Sequence, residues 1–217
     1  MSPRAPSAKP ILYDRDCRRC ARLADFLIDV KSRYPDYACK PVEPFGDPNA
    51  RLLVVGLAPG LHGANATGRP FTGDHAGIML FETLHRFGFS SQAASSPGDQ
   101  LVLRQCRITN AVKCLPPQNK PVAAEVNQCR LFLSEELKTV RKGGVILTLG
   151  KISHDSVLRA LGLSVSALPF RHLGEYSLPQ DRILLSSYHC SRYNTQTGRL
   201  TQKMFDAVFR RARELIA

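Results

Sequence analysis

The chain has 217 residues, enough for one hydrophobic core and hardly for two. Its 30 Lys and Arg against 18 Asp and Glu give a formal charge of +12, which points to a polyanionic partner, nucleic acid ahead of an anionic membrane surface. No apolar run is long enough to span a bilayer, and 43% apolar residues are too many for a disordered basic chain, so both of those classes are excluded.

Residues 1–10 carry Ser, Pro, Arg and Lys without an apolar stretch, and are expected to be a disordered tail and not an export signal, leaving 11–217 as a single domain. Seven cysteines, an odd number in a chain without that signal, are expected as reduced thiols or metal ligands in a cytoplasmic protein. Leu23, Phe26, Leu27 and Val30 recur at helical spacing. Residues 52–55 form a short β-branched run that reads as a buried parallel strand. A helix is expected over 77–87, with Asp74 or Thr72 near its N-cap, and a shorter strand over 107–112. Pro121 opens a helix that carries Val126, Cys129, Leu133 and Leu137 on one stripe and stops at Gly143-Gly144. A strand over 145–149, a helix over 151–161, a strand over 183–187 and a basic helix over 201–216 complete the chain. Strands alternating with helices imply an α/β fold, a three-layer αβα sandwich around a short, mainly parallel sheet of four strands.

In such a sheet, ligands bind where loops converge beyond the carboxyl ends of the strands. The loop after the first strand reads GLAPGLHGANATGRPFTGD from Gly56 to Asp74. It lacks the Lys-Ser/Thr ending of a phosphate loop and has no GxGxxG. Phe71 within it is either core or a ring suited to stacking on a base, and Asp74 is either an N-cap or a carboxylate able to orient water and stabilise a cationic sugar. Asn110, at the end of the second strand, offers a donor and an acceptor that match an imide edge, or else closes an Asx turn. His189 follows the last strand and is placed to face the same pocket. Cys17-x2-Cys20 and Cys114-x14-Cys129 supply four thiols, enough for zinc or for an iron–sulfur cluster, and spacing alone leaves both open.

The glycine-rich segment, the NAVKC loop at 110–114 and the HCSRYNTQTGRLT segment at 189–201 together resemble the uracil-DNA glycosylase superfamily, and within it family 5, the type B enzymes. Leu57 stands where other families place a polar or acidic residue. Cys190 replaces a proline, and Arg192-Tyr193 replaces a proline–leucine pair. The resemblance implies a DNA repair enzyme that flips out uracil, and other deaminated bases such as hypoxanthine, and hydrolyses the N-glycosidic bond to leave an abasic site. It implies catalysis by Asp74 and His189, with the base held by Gly56, Leu57, Phe71, Asn110 and His189. DNA contacts fall to Arg69, Ser191, Arg192, Tyr193 and Asn194. It also implies a [4Fe-4S] cluster on Cys17, Cys20, Cys114 and Cys129, in a monomer acting on nucleoid DNA in the cytoplasm. The competing expectation is a zinc-containing nucleic-acid-binding module without enzymatic activity.

Overall fold

A computed structural model describes residues 13–217, so the tail expected over 1–10 lies outside the described residues. In chain order the elements are α1 (Ala21–Arg33), β1 (Phe45–Gly46), β2 (Leu52–Gly56), α2 (Ala64–Thr67), α3 (His75–Arg86), β3 (Cys106–Asn110), α4 (Ala123–Thr139), β4 (Val145–Leu149), α5 (Lys151–Ala160), β5 (Glu175–Leu178), β6 (Arg182–Ser187), α6 (Arg192–Gln196) and α7 (Gln202–Leu215).

One sheet of six strands, ordered β1-β3-β2-β4-β6-β5, runs through the molecule. Its four inner strands are parallel, and β1 and β5 are antiparallel edges. The expected four strands are therefore the inner four, and the count is corrected to six. β1 has only two residues, one of them glycine, and β5 is exposed at Glu175 and Ser177, half-buried at Tyr176 and buried only at Leu178, so neither carries the apolar run that marks an inner strand.

Side chains alternate across a strand, and β2 shows the result. Leu52 and Val54 enter one core with Leu80 and Leu84 of α3 and Phe205 and Phe209 of α7. Leu53 and Val55 enter the other with Leu133 and Leu137 of α4 and Val157 and Leu158 of α5. A third cluster packs Leu23, Leu27 and Val30 of α1 against Val126 and Phe132 of α4. All of β2 and β4 is buried, as a parallel strand covered on both faces requires.

Boundaries differ from expectation where local chemistry intervenes. β3 stops at Asn110, so 111–112 belong to the following loop. α4 begins at Ala123 after Val122, whose N–H donates to Glu125 Oε2 at 2.8 Å, which leaves Pro121 outside the helix. α3 begins two residues early, at His75; Asp74 stands at its N-cap position, yet the carboxylate makes no capping bond. Two short helices, α2 and α6, interrupt what the sequence shows as loops.

Candidate active site

The loops after β2, β3 and β6 open at the same end of the sheet and enclose a cavity of about 300 Å³. Leu57, Phe71, Asp74, Asn110, His189, Ser191 and Arg192 all line it. Residues more than a hundred positions apart in sequence thus face one space, because parallel neighbours deliver their carboxyl-end loops to one edge.

Backbone conformation aims the first group. Phe71 has φ of 62°, the left-handed region, and its carbonyl accepts from Asp74 N–H at 3.3 Å. This turn presents ring and carboxylate to the cavity together. It also requires Gly77, since a Cβ there would stand 2.0 Å from the Phe71 carbonyl oxygen. Gly56 does not line the cavity; it lies behind it, where a Cβ would meet Asn110 Oδ1 at 2.4 Å and Phe71 Cζ at 2.7 Å. Its lack of a side chain is what lets the ring and the carboxamide approach each other.

Asp74 is held by the glycine-rich backbone. Its Oδ2 accepts from Ala64 N–H at 3.0 Å, and Gly60 N–H is a second donor. Burial raises its pKa from the ordinary carboxylate value in spite of those two bonds, which pull the other way. Asn110 is 3% exposed, and its carboxamide makes no hydrogen bond to any described residue, so the Asx-turn alternative is not realised. The residue lines the cavity, with its Oδ1 against Gly56.

His189 stacks against Phe71, with ring centroids 6.2 Å apart and planes 26° from parallel. Burial lowers its pKa to about 4, so the imidazole is neutral near pH 7. Its loop is fixed by Asn194 Nδ2, which donates to the His189 carbonyl at 2.8 Å, and by Ser191, whose hydroxyl accepts from Asn194 N–H as the N-cap of α6. Beside it, Cys190 donates to the Ala76 carbonyl at 3.3 Å and ties this loop to α3. Arg192 reaches the cavity rim and Tyr193 is 71% exposed next to it. Asn194, an expected DNA contact, is thus engaged within its own loop, and Arg69, another, is drawn elsewhere. Its guanidinium pairs with Asp99 at 2.5 Å and lies over the Phe45 ring, pinning the 95–99 loop.

These loops match a known family. The model of the Uracil DNA glycosylase superfamily matches residues 43–213. The chain belongs to this superfamily. A type-5 uracil-DNA glycosylase of Thermus thermophilus is 47% identical over 92% of the chain and 93% of its own length, and one of Pyrobaculum aerophilum is 44% identical over 91% and 88%. A type-4 enzyme of Archaeoglobus fulgidus is more distant, 29% identical over 70% of the chain and 63% of its length. The superfamily match begins after α1, so Cys17 and Cys20 precede it.

Cys17, Cys20, Cys114 and Cys129 line one small cavity between α1, the NAVKC loop and α4. Burial, then the neighbouring thiols, raise the pKa of Cys20 to about 11 and that of Cys114 further. Crowded, desolvated thiols resist ionising until a cation compensates them. Among the described residues no three His, Cys, Asp or Glu stand close enough to hold a metal ion. Cys39, Cys106 and Cys190 are buried elsewhere.

Two further residues, His75 and Asn119, form part of the wall without a role in the motifs. His75 follows Asp74 directly. Asn119 arrives on a turn in which Gln118 and Asn119 both have φ of 56°. The Pro116-Pro117 pair just upstream was the available sign of a rigid turn returning toward the pocket.

Proposed function

We propose that the chain is a monofunctional uracil-DNA glycosylase of base excision repair, and that the cavity receives a uracil flipped out of the strand. The observation that carries this reading is the buried carboxamide of Asn110, unpaired in the cavity wall, with the Phe71 ring closing in beside it. A flat base with an imide edge satisfies both, by stacking and by paired hydrogen bonds. A roomier choice of base, hypoxanthine included, is part of the proposal.

Bond cleavage is dissociative: the C1′–N1 electrons leave with the base, and the sugar becomes an oxocarbenium ion. Neutral His189 donates a hydrogen bond to the uracil oxygen as negative charge builds there, with backbone N–H at Leu57 as a further donor. Asp74, ionised, faces the cationic sugar and takes a proton from the water that adds to C1′. Arg192 grips a phosphate at the rim, and exposed Tyr193 enters the space the base vacates. Ser191 and Asn194 act through the loop they fasten. Arg69 does the same for the 95–99 loop.

The four clustered cysteines are proposed to hold a [4Fe-4S] cluster. Four thiols delivered to one small cavity by α1, the NAVKC loop and α4 match the ligand set of such a cluster. When bound, the cluster would tie α1 to the NAVKC loop and α4. The Arg22 guanidinium already bonds both Glu125 oxygens, at 2.7 and 2.8 Å, across the same seam. A monomer working on nucleoid DNA in the cytoplasm is part of the proposal, and the charge of +12 supports the DNA partner.

Labelled oligonucleotides bearing uracil, hypoxanthine or neither test the activity. Cleavage of the uracil strand to an alkali-labile abasic site is expected, and DNA binding without cleavage would support the non-enzymatic alternative. Iron and sulfide in fourfold ratio to protein, with a brown colour, are expected; stoichiometric zinc would replace the cluster by a mononuclear site.

A further inference from the structure

The backbone that holds Asp74 has almost no secondary structure of its own. Its two N–H donors, from Gly60 and Ala64, sit in a segment whose only regular element is the single turn of α2. It is held from outside, by the stretch that follows α1. Ala38 N–H donates to the Ala66 carbonyl at 2.9 Å, and Cys39 N–H to the Asn65 carbonyl at 3.1 Å. His62, between Gly60 and Gly63, is not part of the cavity wall. Its Nδ1 lies 2.8 Å from the Tyr37 hydroxyl, and its ring packs edge-on against Tyr34 and Tyr37, whose own rings stack at 4.7 Å. The glycine-rich motif therefore contains a histidine that the chemistry of base excision does not use.

We propose that His62 and Tyr37 form a latch that positions the cradle of Asp74, so that the cysteine-bearing N-terminal unit is the scaffold on which this carboxylate is aimed. The latch rests on the assignment of Asp74 given above. Gly60 and Gly63 leave no room for error: a Cβ on either would lie 2.1 Å from an atom of the carboxyl group. A small outward drift of the loop would withdraw both N–H groups from the carboxylate. The titratable and charged groups that share Asp74's two cavities are His75 and Glu82 from α3, His189 from the loop after β6 and Arg192 at the start of α6. None belongs to the cradle, whose contribution is backbone alone.

The test is single-turnover excision of uracil from an oligonucleotide as a function of pH, with binding of an abasic-site oligonucleotide and a thermal melt measured in parallel. Tyr37→Phe removes one exposed hydroxyl, His62→Ala removes the ring, and His62→Gln keeps a hydrogen-bonding group in its place. Tyr37→Phe and His62→Ala are expected to lower the plateau rate by about tenfold or more, the scale of a small misplacement near reacting atoms. They are also expected to move the acid limb to higher pH, because the N–H bonds that favour the ionised carboxyl loosen. His62→Gln is expected to restore most of both, with abasic-DNA affinity and melting unchanged throughout. Asp74→Asn, run alongside, should lack the acid limb. If it keeps that limb, the role given to Asp74 is wrong; if it loses it while Tyr37→Phe and His62→Ala behave as wild type, the latch is wrong. Weakened abasic-DNA binding with an unmoved limb would make His62 a DNA contact and overturn the proposal.

Discussion

Two missing side chains decide where Asp74 can stand. Replacing Gly63 by Ala puts a methyl group 2.1 Å from the Asp74 carboxyl carbon, in a loop where the backbone has little room to yield. Gly63→Ala is expected to cut the single-turnover rate by about a hundredfold. Affinity for abasic DNA should be nearly unchanged, and a filter-binding assay beside the rate measurement checks both. His189 gives a prediction about stability as well as rate. Its side-chain pKa falls from 6.5 to about 4 on folding, so between those values the unfolded chain takes the proton first and stability drops as pH falls. His189→Gln should flatten that part of the stability curve in denaturant titrations, while lowering the excision rate by about a hundredfold to a thousandfold as one donor to the leaving base is lost. Asp74, Phe71, Asn110 and His189 were legible in the sequence because each sits in a motif at the end of a strand. The packing reason for Gly56, the diversion of Arg69 to Asp99 and the arrival of Asn119 were not, since each depends on what a distant segment places alongside.

At the level of elements, β3 and α4 are joined by a buried charge network. Glu136 is wholly buried and receives Arg107 at 3.1 Å and Lys113 at 3.1 Å, and Lys113 also bonds the Thr109 hydroxyl. Lys113 lies between Asn110 and Cys114, so the network fixes one loop that serves both the base cavity and the cysteine cavity. Its N–H points at Cys129 Sγ, 3.5 Å away. Lys113→Met leaves Glu136 with one of its two cations and is expected to cost about 2 kcal/mol in urea unfolding. A change below the error of that measurement would mean that Arg107 alone satisfies the carboxylate. The inner strands and the larger helices could be read from apolar periodicity. The two edge strands could not, because they are short or half exposed and are defined by their neighbours and not by their own pattern.

For the whole molecule, the excess of 30 basic over 18 acidic side chains predicts DNA binding that weakens steeply with salt. The logarithm of the affinity for abasic DNA should fall linearly with the logarithm of salt concentration. Arg192→Ala should reduce the slope by about one, the signature of one lost phosphate contact. An unchanged slope would place Arg192 away from the backbone. The composition announced the charge from the start, but only the fold shows that the base cavity and the thiols share the 110–114 loop. The flanks of the sheet carry a last consequence. β1 offers only two residues of open ladder, and β5 is guarded by Glu175, which is ion-paired to Arg211 of α7 at 2.7 Å. Both borders of the sheet are therefore short, and a charged pair sits at the start of one of them, so little unpaired ladder is left open to strand addition at either flank.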